Sequence, residues 1–218
     1  SYVAANPTYG QSIVSYTGNG SGSASIGHGL SSAPEMIIIK NRELNSDWIV
    51  YHSAIGNTKH LRMNLTNAEI TSGTRWSNTT PTSSVFTLGS DSSVNENNDK
   101  CIAYCFHSVT GYSKFGTYSG TGSTGNAITT GFKPAFVLTK RTNGTEDWFM
   151  FDNTRNPTNP VTLRLKPNTN DVESSWDYVN FTDTGFTWLA TGTGQNGSGD
   201  TYVYMAFADK REYAYWLD

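Results

Sequence analysis

Apolar and polar positions along this chain fall into short blocks separated by turn residues. Met36-Ile37-Ile38-Ile39 is an unbroken apolar run entered through Pro34 and closed by Lys40, which predicts a strand buried on both faces. From His60 to Leu65 the pattern changes. Leu61, Met63 and Leu65 alternate with His60, Arg62 and Asn64, which predicts a half-buried strand with His60 on its wet face. Ile13 to Tyr16, Trp48 to His52, Val85 to Leu88 and Cys101 to Phe106 are further predicted strands. In the last of these, Ile102, Tyr104 and Phe106 share one face, and Cys101, Ala103 and Cys105 share the other. Gly18 to Gly29 reads as a Gly/Ser-rich turn region, and Asn45-Ser46-Asp47, Gly56-Asn57 and Asn97-Asn98-Asp99 mark further turns. No capped segment with a period of 3.6 is long enough for a helix.

The same pattern returns about 100 residues later. Ser15-Tyr16-Thr17-Gly18-Asn19-Gly20 is matched by Thr117-Tyr118-Ser119-Gly120-Thr121-Gly122, and Met36 to Lys40 by Phe136 to Lys140. Asp47-Trp48 is matched by Asp147-Trp148, Trp76 by Trp176, Phe86-Thr87-Leu88 by Phe186-Thr187-Trp188, and Ile102 to Phe106 by Val203 to Phe207. Six or seven short strands per copy predict an all-β fold of the antiparallel β-sandwich type, jelly-roll or lectin-like. The expected organisation is two tandem, similar, closely packed units, residues 1–112 and 113–218, the second carrying a C-terminal extension. A single composite sandwich, half from each repeat, is the competing arrangement. Gly111 to Gly125 is the junction, and its Tyr112, Phe115 and Tyr118 argue against a loose linker. Lys210 to Trp216, aromatic and alternating, is expected to add a strand or lead into a neighbouring segment.

Composition narrows the function. Charged residues are 15%, net charge is −3 and no basic cluster exists, so nucleic acid is not an expected partner. No apolar stretch is long enough to span a membrane. Ser1 and the ending Tyr215-Trp216-Leu217-Asp218 are read as the ends of a piece of a longer polypeptide. Cys101 and Cys105, the only cysteines, would lie about 13 Å apart along one strand, too far for a disulfide; they read as small buried apolar groups.

Residues matched in both copies are expected to serve the fold, and unmatched residues are where a copy-specific function would lie. Asp47 and Asp147, each preceding a Trp, read as turn caps. Glu43, Glu69, Glu146 and Glu173 have no evident carboxylate partner of the kind a glycosidase needs. His28, His52, His60 and His107 show no metal-ligand spacing. Gly18-Asn19-Gly20-Ser21-Gly22 lacks the Lys and helix of a phosphate loop. Asp91, Asn95, Asn97 and Asp99, with Asp200 in the second copy, form an oxygen-rich loop without the EF-hand pattern, read as a solvated turn rather than a calcium site. Trp48, Trp148, Trp76 and Trp176 read as core because they are duplicated. Trp188, Trp216 and Arg75, which stands against Ser175, are the unmatched residues, and they form no visible constellation. The expectation is therefore no catalytic residue, no metal ligand and no cofactor, with ligand-binding residues not identifiable from the sequence.

Several stretches carry a resemblance. Ser15 to Gly20, Ala33 to Arg42, Trp76 to Gly89, Tyr104 to Gly116, Gly131 to Val137 and Tyr202 to Asp209 resemble a repeat of virion structural proteins of marine, cyanophage-type phages, tail-fibre proteins among them. The resemblance spans nearly the whole chain. It implies a non-catalytic virion module, part of a tail fibre that presents a recognition surface for host glycans. The alternative it leaves is a spacer or capsid decoration unit without a ligand; a polysaccharide-degrading enzyme is the weaker reading. Implied partners are other virion proteins, a host cell-surface glycan and further copies in a homotrimer. The implied location is the virion surface, after synthesis in the host cytoplasm.

Overall fold

β-branched and aromatic residues between Gly, Asn and Ser turns favour short extended segments, and the computed structural model, which describes residues 1–210, is built from them. The first half contributes β1 (Tyr2–Asn6), β2 (Gln11–Thr17), β3 (Ala24–Gly27), β4 (Met36–Asn41), β5 (Ile49–His52), β6 (Lys59–Arg62), β7 (Ile70–Thr71), β8 (Val85–Leu88) and β9 (Lys100–Phe106). The second contributes β10 (Ser113–Ser119), β11 (Asn126–Thr129), β12 (Pro134–Arg141), β13 (Trp148–Asp152), β14 (Val161–Arg164), β15 (Ser174–Thr182), β16 (Gly185–Trp188) and β17 (Thr201–Ala208). Helix is confined, among the described residues, to α1 (Ser92–Asn95) and two one-turn 3-10 segments. Every strand pairing is antiparallel, so the fold is an all-β, sandwich-type one.

Each half forms two facing sheets, of seven and two strands in the first half and of four and four in the second. The first main sheet runs β1-β2-β9-β4-β5-β6-β7 and is faced by β3-β8. The second runs β10-β17-β12-β13 and is faced by β11-β16-β15-β14. Register fixes which residues enter each core: Ile37 lies opposite Cys105, and Cys105 opposite Ser12, placing the odd-numbered positions of β4 and β9 on one face. Val14, Ile37, Ile39, Cys101, Ala103 and Cys105 therefore pack with Phe86 and Leu88 of the covering sheet. In the second half Val137, Tyr204 and Ala206 pack with Phe186 and Trp188 in the same way. The first core draws on residues 14–105 and the second on 128–206.

The outer faces of the two main sheets meet in a third apolar layer. Met36, Val50 and Leu61 from one half pack against Phe115, Leu138, Trp148 and Val203 from the other. Four polar links cross the same boundary. Trp148 Nε1 donates to the Arg62 carbonyl (2.8 Å), Glu69 N to Thr142 O (2.8 Å), Glu146 N to Thr66 O (2.9 Å), and Lys140 Nζ to Thr66 O (3.2 Å). Lys140 is fully buried, and burial pushes its ammonium down to about 8.

The strand expectations need four corrections. β6 stops at Arg62, because residues 63–64 turn, and His60 is completely buried rather than wet. The Gly18–Gly29 region contains β3, whose Ala24 and Ile26 join the core. The Gly111–Gly125 junction contains β10, with Tyr118 stacked on Tyr202 at 4.9 Å. β1 and the long β15 were not anticipated at all. Residues 211–218, most of the expected C-terminal extension, lie outside the described residues.

Candidate functional site

The duplicated motifs build loops. Tyr16 Oη donates to Val94 O and Tyr118 Oη to Gln195 O, both at 2.7 Å. Gly18 N and Gly120 N donate to Asp99 O and Asp200 O, both at 2.8 Å. A Cβ on either glycine would meet the carbonyl oxygen of Glu96 or Gly197 well inside van der Waals contact, so only glycine fits. Buried Asn95 holds this loop, accepting from Asn19 N and donating to Ser21 O and Gly89 O. Asn196 repeats that role, accepting from Thr121 N and donating to Ser123 O and Ala190 O.

The oxygen-rich loop is likewise engaged by protein donors. Asp91 caps α1 and pairs with Arg75, Asp99 accepts from Asn41 Nδ2 (2.9 Å), and Asp200 pairs with Arg141 (2.6 Å). Asp47 and Asp147 each accept from an asparagine, Asn64 or Asn168, whose own oxygen accepts from the following Trp48 or Trp148 N–H. Each also meets a cation, Arg62 at 3.3 Å or Lys166 at 2.9 Å. Of the other acids, Glu43 pairs with Lys100, Glu69 with Lys59 and Glu173 with Arg155.

The histidines are all buried, and His28 and His107 lie close enough for their charges to interact. His28 contacts Thr82 O and accepts from Leu30 N; His52 accepts from Ala54 N; His107 contacts Ser108 O. Burial pushes His52 and His60 down to about 4. Cys101 and Cys105 are free and buried, and desolvation raises them to about 11 and about 12. Among the described residues, no three His, Cys, Asp or Glu side chains converge as metal ligands would.

The tryptophans part company with the expectation. Trp76 is buried, edge-on to Tyr51 at 5.5 Å and 70°. Its spatial counterpart is Trp188, edge-on to Phe151 at 5.4 Å and 70°. Trp188, expected as a copy-specific surface residue, is thus core, filling from β16 the volume that Trp76 fills from a loop. Trp176, expected as core, is 70% exposed on β15. Trp148 is buried between the halves, whereas Trp48 is partly exposed and stacks on Tyr104. Trp216 lies outside the described residues.

Trp176 stands at the rim of a cleft of about 390 Å³ in the second half. Phe149, Tyr178 and Arg164 line it from the sheets, Thr191 to Gln195 from the loop before β17, and Glu146, Asp147 and Lys166 from one side. The Arg164 guanidinium carbon lies 4.5 Å from the centroids of both the Phe149 and Tyr178 rings. Its Nε donates to Ser174 Oγ (3.1 Å), and Tyr178 Oη donates to the same oxygen (3.2 Å). This arrangement holds a rigid cation against aromatic faces. Partial burial pushes the Asp147 carboxyl up, but Asn168 and Lys166 more than offset it, leaving it below the usual carboxylate range and ionised. A group so held suits hydrogen-bond acceptance and is a poor proton donor.

In the first half the equivalent position is filled. The shared Asp–Asn clamp sets Asn64 against Asn168, and counting back four residues sets His60 against Arg164. The shared asparagine loop, with Asn95 N bonded to Asp91 O and Asn196 N to Gly192 O, both at 2.9 Å, sets Asp91 against Gly192. In the first half Arg75 lies between these positions, paired with Asp91 (3.4 Å) and 3.4 Å from His60 Nδ1. Gly89 N and Asp91 N bond to the carbonyls of Arg75 and Thr74, so this loop covers the site. In the second half β15 replaces the loop, and Leu189 N and Ala190 N bond to Tyr178 O instead. Sequence reasoning missed Arg164 and Trp176. Their available signal was Ser174–Thr182, extended and aromatic where the first copy has a Gly, Ser and Thr loop.

Fold and cleft together define a class: stacked antiparallel β-sandwiches with a polar, aromatic-rimmed cleft in the second of two related halves. Within it, the chain belongs to the family described as a domain of unknown function (DUF7483), whose model matches residues 1–211. No curated protein and no solved structure matches the chain.

Proposed function

We propose that this chain is a non-catalytic module of a phage virion protein, part of a tail fibre, that presents a saccharide-recognition site to the host surface. The observation that carries the recognition reading is Trp176: a large aromatic ring 70% exposed beside a polar cleft. Such a ring stacks on the apolar face of a sugar while neighbouring polar groups bond its hydroxyls. Thr191, Thr193 and Glu146 supply those groups, Thr193 Oγ1 already donating to Glu146 (3.0 Å). The phage setting rests on the resemblance of the repeats. The test is saturable binding of the protein to host cells or a glycan array, abolished in W176A. Absence of binding in any oligomeric form, or unchanged binding by W176A, would overturn the proposal.

A second reading, a spacer or decoration unit with contacts only to virion proteins, is favoured by one observation. β1 is an exposed sheet edge without a charged residue, and charges are a common guard of such edges. Locating the segment in intact particles separates the two: an exposed distal position supports recognition, and burial along a shaft supports the spacer.

A further inference from the structure

We infer that the second-half cleft selects an acidic saccharide, seating its carboxylate or sulfate on the Arg164 guanidinium and a sugar ring on Trp176. This rests on the recognition reading above and adds the ligand's charge class to it.

Arg164 lacks an anionic partner among the described residues. It lines the cleft, and neither Nη has a protein acceptor among the described residues. Its plane is nevertheless fixed by the rings of Phe149 and Tyr178 and by the Nε bond to Ser174. A guanidinium immobilised through its faces and Nε, with both Nη groups unclaimed, offers the paired donors that carboxylates and sulfates accept.

The related half supplies an internal comparison. There the guanidinium of Arg75 fills the space and Asp91 neutralises it. Here glycine stands at the Asp91 position, so the neutralising carboxylate is absent and the space it would need is open. The cleft's own acids do not replace it. Asp147 is held by Lys166 and Asn168, and Glu146 accepts from Thr193 and from Asp147 N. Counting Arg164 and Lys166 against Glu146 and Asp147, the lining is balanced. The local attraction for an anion then comes from Arg164 itself, at short range.

The test follows the Arg164 Nε–H and Trp176 indole N–H resonances during NMR titration with methyl glucuronide, glucose 6-sulfate, neutral methyl glucoside and inorganic sulfate. Both acidic sugars should move both resonances and bind about tenfold more tightly than the glucoside, the low end for a charge-assisted bond. Added salt should narrow the gap. R164M should abolish the gap while leaving the core resonance of Trp188 unmoved, and R164K should restore part of it. A preference for the carboxylate over the sulfate ester, or the reverse, identifies which oxyanion the site takes. Equal binding of glucoside and glucuronide, or a gap that survives R164M, overturns the inference and leaves saccharide recognition standing. An Arg164 response to inorganic sulfate with Trp176 silent under every sugar overturns the saccharide reading and this inference with it. Silence of Arg164 toward all the anions overturns the inference alone, provided W176A still abolishes cell binding.

Discussion

Replacing Trp188, Trp76 and Trp176 in turn by alanine tests the reassignment of the aromatic core. Trp188 and Trp76 are 0% and 1% exposed, and Trp176 is 70% exposed. Burying a Trp removes about 200–250 Å² from water, or about 5–6 kcal/mol at about 25 cal/mol per Å². Alanine keeps part of that, and the walls relax, so W188A and W76A should each cost about 3–5 kcal/mol. With under a third of its surface covered, Trp176 is worth at most about 1–2 kcal/mol, and a compact unfolded chain lowers that to about 1 or less. Urea unfolding followed by far-UV circular dichroism avoids the loss of the fluorescent probe. The pairing of Trp76 with Trp176 implied by their 100-residue spacing demands equal losses for those two. A W176A loss as large as that of W188A, or a W188A loss below about 1 kcal/mol, would refute the structural equivalence.

Three further perturbations have defined outcomes. N95A and N196A should each destabilise by about 3 kcal/mol, because each strands several buried backbone partners; a loss in urea melts confined to one of them would show that the halves do not share this lock. G18A and G120A should both cost more than about 2 kcal/mol, since backbone carbonyls occupy the position of a Cβ; a neutral effect in thermal melts would reject the close approach. Stability should fall as pH is lowered from 6.5 toward 4. His52 and His60 titrate near 4 when folded and 6.5 otherwise, so the unfolded chain binds more protons across that window. Each contributes about 3 kcal/mol at the acid limit, and H60Q should flatten the slope of stability against pH; an unchanged slope would place the histidine in water.

Much of the fold was legible because both cores repeat the same periodicities. The Met36–Ile39 run and the split faces of Cys101–Phe106 are dictated by burial, and they appear as β4 and β9. What failed was register between the copies. The offset is 102 residues at Gly18 and Gly120, 101 at Asn95 and Asn196, and 104 at Asn64 and Asn168, so the 100-residue separation of Trp76 and Trp176 did not make them equivalent. His60 was misplaced because alternation reports the sheet face only. The loop carrying Arg75 covers its outer side, and no local pattern announces that cover. The cleft was illegible for the same reason, since it arises where β15 leaves open what that loop closes.

The two halves also differ in how this space is filled. In the first half the equivalent space holds an arginine, its carboxylate and a buried histidine. The second half gives up the ion pair, keeps a guanidinium clamped between two rings, and raises a tryptophan into solvent. The cation–π contacts of that guanidinium tie β14 to β13 and β15, but an unpaired cation forgoes Coulomb attraction and an exposed indole forgoes burial. Under the proposed function, an anionic, ring-bearing ligand would supply both missing contacts. The duplicated scaffold therefore points past its matched residues to a region where matching stops, and Arg164 and Trp176 are the side chains there that lack an ion-pair partner and a cover.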